Sequence, residues 1–193
     1  MQAILVAAVW YSRSGWEVPG VLQNWPGPGG GVGLQIRQSL LVENLIIRPA
    51  VPADMDVLRM LFRRSSLSND RDRAALLASP DALELPDLSI EEGRTRVATA
   101  GDGRILGFAS TITSGDITEL DDLFVDPDWM RRGIGIQLVL DVVEIARQTG
   151  VRRVEVTANP HALGFYETAG FVFDHDVETR FGSAPRMFRQ VIP

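Results

Sequence analysis

From residue 44 onward the hydrophobic residues follow two regular periods, about 3.6 residues for helices and 2 for strands. Helical spacing predicts four helices, which begin near residues 52, 69, 133 and 161. In the third, over residues 133–148, one apolar stripe is formed by Ile136, Leu140, Val143 and Ala146. Strand patterns are predicted at residues 45–48, 94–100, 105–113, 117–125, 151–158, 171–179 and 186–192. This order predicts an α/β (α+β) protein with a mixed sheet and helices on its faces.

Residues 1–43 lack this regularity. They include a Gly/Pro-rich stretch at residues 27–33 and three of the four tryptophans, Trp10, Trp16 and Trp25. Such a stretch does not form a packed core, so we expect an N-terminal extension followed by one domain over residues 44–193. Two interpretations stay open: a misplaced start of the chain, or an arm that packs on the domain or on the second subunit of a homodimer.

Composition removes several classes of function. The net charge of −6 argues against nucleic acid as the main partner and mildly favours cationic small molecules or peptides. The chain has no Cys and no Lys, which excludes thiolate sites, Schiff-base lysines and the Gly-Lys-Ser/Thr phosphate loop. Its only histidines are His161 and His175, so no metal is expected. The apolar run at residues 3–10 is too short to span a membrane and lacks a basic leader, which predicts a cytoplasmic protein without a membrane partner.

A glycine turn opens the predicted third helix. Gly133 and Gly135 let a ligand approach the backbone, where the first N–H groups of the helix are unpaired. Arg131 and Arg132 add positive charge, so the turn is a candidate phosphate site. The dinucleotide fingerprint Gly-x-Gly-x-x-Gly is incomplete, because position 138 is Leu. An ordinary tight turn with solvated arginines is the alternative.

The strand before this turn is acidic. A period of two places Glu119, Asp121, Leu123 and Val125 on one face and Leu120, Asp122 and Phe124 on the other. A carboxylate here could accept a proton from an amine, although a solvated sheet face is the common fate of such residues.

Two further polar residues follow the next predicted strand. Asn159 ends that strand and can offer its amide to a ligand. Tyr166 lies on the short helix that follows, and its phenol could donate a proton to a leaving thiolate. A tyrosine of the core or its rim is the alternative interpretation.

Together these residues resemble the GNAT superfamily of N-acetyltransferases. The turn motif of that family, Gln/Arg-x-x-Gly-x-Gly/Ala, corresponds to residues 130–135, with Met130 as the departure. The segment Asn159-x-x-Ala-x-x-Phe-Tyr-Glu, followed by Gly170-Phe171, adds specificity. The resemblance covers about residues 44–193 and is strongest over residues 117–171. It implies a mostly antiparallel, GNAT-like central sheet flanked by helices.

The resemblance also implies acetyl-coenzyme A as donor. The backbone of Leu123, Phe124 and Val125 would pair with the pantetheine arm, and an N–H near Val125 would contact the thioester oxygen. Asn159 would contact the pantetheine, and Tyr166 would protonate the thiolate. Glu119 would be the general base, with Asp121 as the fallback. The pyrophosphate would lie on the residues of the turn: Arg131, Arg132, Gly133, Ile134 and Gly135.

The implied reaction is direct attack of a primary amine on the thioester, with a small molecule or peptide as the acceptor. The sequence does not identify that acceptor, which residues 52–93 are expected to shape. The alternative is a catalytically silent GNAT-fold protein that binds acetyl-coenzyme A as a sensor or regulator.

Overall fold

A single seven-stranded sheet forms the centre of the protein. The computed structural model describes residues 44–191, so the predicted extension at residues 1–43 lies outside the described residues. The strands are β1 (Ile46–Pro49), β2 (Thr95–Thr99), β3 (Ile105–Ser114), β4 (Ile117–Val125), β5 (Arg153–Thr157), β6 (Val172–Thr179) and β7 (Gly182–Gln190). Their spatial order is β1-β2-β3-β4-β5-β7-β6. Only β4 and β5 pair in parallel, which confirms a mixed and mostly antiparallel sheet.

Helices cover both faces of the sheet. They are α1 (Met55–Ser66), α2 (Asp70–Leu77), α3 (Leu88–Glu91), α4 (Ile134–Gln148) and α5 (Leu163–Thr168). The side chain of Asn69 accepts a hydrogen bond from the backbone of Arg71 and so caps α2, which begins where a helix was predicted. The four-residue α3 is too short to show a helical period and was not predicted. Within residues 44–191, no helix has both the length and the apolar character needed to cross a membrane.

The buried face of α4 differs from the predicted stripe. Leu140 is 39% exposed, and Ile136 and Val143 are only partly buried. The side chains that the helix buries are Ile134, Leu138, Val139, Val142 and Ala146. Apolar residues surround most of this helix, so two overlapping stripes share the helical period, and contact with the sheet selects one of them.

A β-bulge interrupts β4 at Asp121. Ser110 of β3 pairs with Asp122, whereas the next residue, Thr111, pairs with Leu120. Asp121 is therefore the extra residue, and the side-chain alternation is shifted across it. As a result Leu120 joins Leu123 in the core cluster beneath α4, and the prediction that they lie on opposite faces is wrong.

The strands β4 and β5 separate after a short paired stretch. Their pairing covers only residues 117–119 of β4 and residues 153–155 of β5. Beyond it β4 continues to Val125, while β5 continues in its pairing with β7. A gap therefore opens between the carboxyl halves of two adjacent parallel strands, at the end of the sheet where ligands commonly bind.

Candidate active site

The edge of β4 that faces the gap consists of backbone groups. The N–H of Asp126 donates to the carbonyl of Leu106 on β3 at 2.8 Å. Because backbone groups alternate along a strand, the N–H groups of Leu123 and Val125 point away from β3 and into the gap. The Ser65 hydroxyl reaches the Val125 carbonyl at 3.0 Å, which agrees with this orientation. The backbone groups of Phe124, which lies between Leu123 and Val125, point toward β3. Its ring is buried against Phe62 and Phe108.

The amino end of α4 is a second group of backbone donors. Gly133 is the N-cap in the left-handed conformation, with φ 79°, and it provides no side-chain cap. The first intrahelical bond comes from Gln137, which donates to the Gly133 carbonyl at 3.0 Å. The N–H groups of Ile134, Gly135 and Ile136 precede this bond and lack a helical acceptor. Arg131 also has a positive φ, 60°, a backbone conformation that is typical of turns whose successive N–H groups bind anions.

Positive side chains surround this helix end. The guanidinium groups of Arg132 and Arg104 lie 4.7 and 4.8 Å from the ring centre of Trp129. Among residues 44–191, neither Arg131 nor Arg132 forms an ion pair with a carboxylate. Met130, the departure from the family motif, packs against the core. The residues present therefore fit a phosphate group through main-chain N–H groups and two arginines without a carboxylate partner among the described residues.

Gly135 also has a packing role. A β-carbon built at this position would lie 3.2 Å from Cε2 of Phe165 on α5. The missing side chain therefore allows α4 and α5 to approach each other.

Tyr166 lies within the core and is fully buried. Its ring makes edge contacts with Phe165 and Phe171, with centroids 5.0 and 5.5 Å away. Burial raises the pKa of the Tyr166 phenol well above its ordinary value, so the group stays protonated. Among the described residues the hydroxyl has no hydrogen-bond partner. An unsatisfied buried donor is costly, and an acceptor atom brought to it would remove that cost.

Glu119 is held by an arginine that spans three strands. Arg186 of β7 donates to Glu119 of β4 at 2.6 Å, and to Glu155 and Thr157 of β5 at 2.6 and 2.8 Å. These contacts lie where β4 and β5 begin to separate. The ion pair commits the Glu119 carboxylate to a structural contact with Arg186.

The bulge places two carboxyl groups in a less polar setting. Burial raises the pKa of Asp121, and the charge of Glu119 adds to that increase. Burial and the charge of Asp121 raise the pKa of Asp122 to about 7, although a hydrogen bond from the Ser110 hydroxyl opposes the change. Asp122 was not among the site residues predicted from the sequence, because nothing local to β4 shows that Ser110 lies opposite it.

Asn159 connects the gap to a cavity. Its Oδ1 accepts from the backbone of His161 at 2.9 Å, and its Nδ2 donates to Asp72 at 2.9 Å. The cavity, of about 330 Å³, lies between α2, the residues after β5 and the β6–β7 hairpin. The structure therefore places Asn159 at the cavity wall, with both polar groups already bonded. Sequence reasoning missed the other polar residues of this wall, such as Ser66, Arg71 and Asp72.

Comparison with known families agrees with this geometry. A family model described as an acetyltransferase (GNAT) domain matches residues 80–184, more than half of the chain. The chain therefore belongs to the GNAT acetyltransferase family, as its motifs predicted, and this membership supports transferase activity.

Curated relatives carry the same kind of name. The uncharacterised N-acetyltransferase YvbK of Bacillus subtilis is 28% identical over 63% of this chain and 83% of its own length. A glucosamine 6-phosphate N-acetyltransferase of Trypanosoma brucei brucei is 34% identical, over 36% of this chain. That match spans only 52% of the trypanosomal enzyme.

Solved structures share the fold. The PaiA N-acetyltransferase of Thermoplasma acidophilum, in complex with coenzyme A, has a TM-score of 0.59 at 20% identity, over 76% of this chain and 98% of that one. A phosphinothricin acetyltransferase of Sinorhizobium meliloti, in complex with AcCoA, has a TM-score of 0.57 at 19% identity, over 76% of this chain and 88% of that one. These likenesses confirm the predicted GNAT fold.

Proposed function

We propose that this protein is an N-acetyltransferase that moves an acetyl group from acetyl-coenzyme A to a primary amine of a small molecule or peptide. The observation that carries the proposal is the open edge of β4 beside an uncapped helix end. The two present backbone donors and positive charge. Their residues Val125 and Ile134 share a core cluster with Tyr166, whose buried phenol has no partner among the described residues. Glucosamine 6-phosphate N-acetyltransferase, among the relatives, is named for an amine acceptor, which supports this class of reaction.

In this proposal the cofactor is held mainly by the backbone. The pyrophosphate would lie on the N–H groups of residues 131–135, with Arg131 and Arg132 as counter-charges. The pantetheine would continue the sheet along residues 123–125 and approach Asn159. The Val125 N–H, pointing into the gap, would donate to the thioester oxygen as its charge grows.

The reaction is a direct transfer. The amine nitrogen attacks the thioester carbon, the C–N bond forms and the C–S bond breaks. Tyr166 would donate its proton to the departing sulfur, since its buried phenol stays protonated and has no other hydrogen-bond partner among the described residues.

A carboxylate of β4 would accept the proton of the amine. Of the two candidates from the sequence, Asp121 is favoured here because its pKa is raised, whereas an ion pair with Arg186 occupies the carboxylate of Glu119. The ion pair between Arg186 and Glu119 also favours the alternative, a catalytically silent acetyl-coenzyme A sensor. It commits Glu119, one of the two candidate bases, to a structural contact.

Two measurements test the proposal. Calorimetry should detect acetyl-coenzyme A binding, and thiol release should increase when a suitable amine is added. Arg131→Glu should weaken cofactor binding by about tenfold or more, since one charge-assisted phosphate contact is replaced by repulsion. The matched control is Arg63→Glu, an exposed position on α1. Equal affinities in the two variants would contradict the phosphate site, and binding without turnover of any amine would favour the sensor.

A further inference from the structure

The cavity next to Asn159 carries two side chains of opposite charge that share its wall. Arg71 and Asp72 are consecutive residues of α2, and both line the cavity. Within residues 44–191 neither of them forms an ion pair, either with the other or with a third residue. Their side-chain hydrogen-bond partners are two asparagine amides and a histidine ring.

Asp72 is fixed in place without being neutralised. Its Oδ2 accepts from the amides of Asn159 and Asn69, at 2.9 and 2.5 Å. The side chain is half-buried, so these two amides orient the carboxylate but leave its charge uncompensated. A cation entering the cavity would supply the missing charge. Because Asn159 follows β5 at the gap, an ammonium on Asp72 would lie beside the proposed position of the acetyl donor.

Arg71 provides the opposite charge at an exposed position. Its Nη1 lies 3.3 Å from Nδ1 of His161, and no further contact of its guanidinium is recorded among the described residues. A guanidinium offers five N–H donors in a planar fork, which suits a carboxylate or a phosphate.

The rest of the wall indicates a small polar ligand. Ser66 lines the cavity, and its buried hydroxyl has no partner among the described residues. A ligand hydroxyl or anion oxygen could satisfy it. The ring of Phe181 adds apolar surface, and the cavity volume of about 330 Å³ corresponds to the small end of ligand sites.

We propose that the acceptor is a small zwitterionic amine, with an ammonium group for Asp72 and a carboxylate or phosphate for Arg71. This inference rests on the proposed N-acetyltransferase function and names its substrate class. On this proposal polycations are not the preferred acceptors, although the net negative charge of the chain would favour them.

The experiment compares four amines in the thiol-release assay: glucosamine 6-phosphate, glutamate, glucosamine and spermidine. We expect the highest kcat/KM for glucosamine 6-phosphate or for glutamate. The preferred one of these two shows whether the site binds a phosphate or a carboxylate. Arg71→Gln should lower that value by about tenfold or more, mainly through KM, because a charge-assisted contact is lost. The same variant should leave kcat/KM for glucosamine unchanged, since that amine carries no anionic group. Asp72→Asn keeps the acceptor for both asparagine amides, and it should lower kcat/KM for every amine.

Arg73→Gln is the matched control, since Arg73 is an exposed arginine of the same helix and does not line the cavity. Melting temperature and acetyl-coenzyme A affinity should be unchanged in all three variants. A preference for spermidine or glucosamine, or equal behaviour of Arg71→Gln and Arg73→Gln, would overturn the inference. If acetyl-coenzyme A binds but neither anionic amine is acetylated, the inference fails and the cofactor site stands. Absence of acetyl-coenzyme A binding in calorimetry removes both.

Discussion

The gap beside β4 and the cavity beside α2 are adjacent but are built differently. The gap presents mainly backbone groups, the N–H groups of β4 and those at the amino end of α4. The cavity presents side chains from three separate parts of the chain, among them Ser66, Asp72 and Asn159. Backbone groups depend on the fold and on a few glycines, so one cofactor site can persist while side chains adapt the other site to a particular acceptor.

The largest expected effect concerns the chemistry at the gap. Tyr166→Phe should lower kcat by about 10²–10⁴-fold, the usual range for a general acid, with the acetyl-coenzyme A Kd unchanged. The same change removes a buried hydroxyl without a partner, so the melting temperature should stay equal or rise. Thiol-release kinetics and thermal unfolding of the same samples check both. Full activity at every pH would remove Tyr166 from the mechanism, and a large loss of stability would contradict its unpaired state.

The carboxylates of β4 provide the second comparison. If Asp121 accepts the proton, Asp121→Asn should lower kcat by about 10²-fold at neutral pH. The loss should shrink as the pH exceeds the pKa of the amine, because the nucleophile is then already neutral. Glu119→Gln should instead lower the melting temperature, since Arg186 loses one of its two carboxylates.

Rate–pH profiles and thermal unfolding of the two variants distinguish these roles. A pH-independent loss in Asp121→Asn would indicate positioning. A selective loss of rate in Glu119→Gln, with an active Asp121→Asn, would assign the base to Glu119.

A smaller effect concerns stability at the bulge. The pKa of Asp122 is about 7 in the folded protein, above its value of 3.8 in the unfolded chain. Below pH 3.8 both states are protonated and the residue costs nothing. As the pH rises toward 7 only the unfolded state releases its proton, so stability is lost, and above pH 7 the penalty is constant. Each pKa unit corresponds to about 1.4 kcal/mol, so the penalty is on the order of a few kcal/mol.

Asp122→Asn should therefore raise the melting temperature at pH 8 and have little effect at pH 4. The amide keeps an acceptor for Ser110, which makes the change close to isosteric. Thermal unfolding across this pH range is the measurement. A stabilisation that is the same at both pH values would show that the carboxyl is not held protonated by the fold.

Local patterns predicted more of the gap than of the cavity. The strand Ile117–Val125 was predicted with its observed bounds, and Gly133 begins the helix as expected, because strand period and glycine turns are local signals. The bulge at Asp121 could not be predicted, since it depends on the register with β3. The hydrogen bond between Asp72 and Asn159 joins residues 87 positions apart, and no local pattern encodes it. Membership of the GNAT family was recognisable because its motifs lie on the gap side.

In the proposed function, backbone N–H groups of β4 and α4 hold acetyl-coenzyme A. Amide NMR signals of the protein, followed during titration with acetyl-coenzyme A, test it most directly. We predict that the largest shifts fall on Val125, Ile134 and Gly135, with Leu123 also affected, while amides of the distant β1 strand stay in place. Saturable binding that leaves these four amides unchanged and shifts another region of the chain would contradict the account.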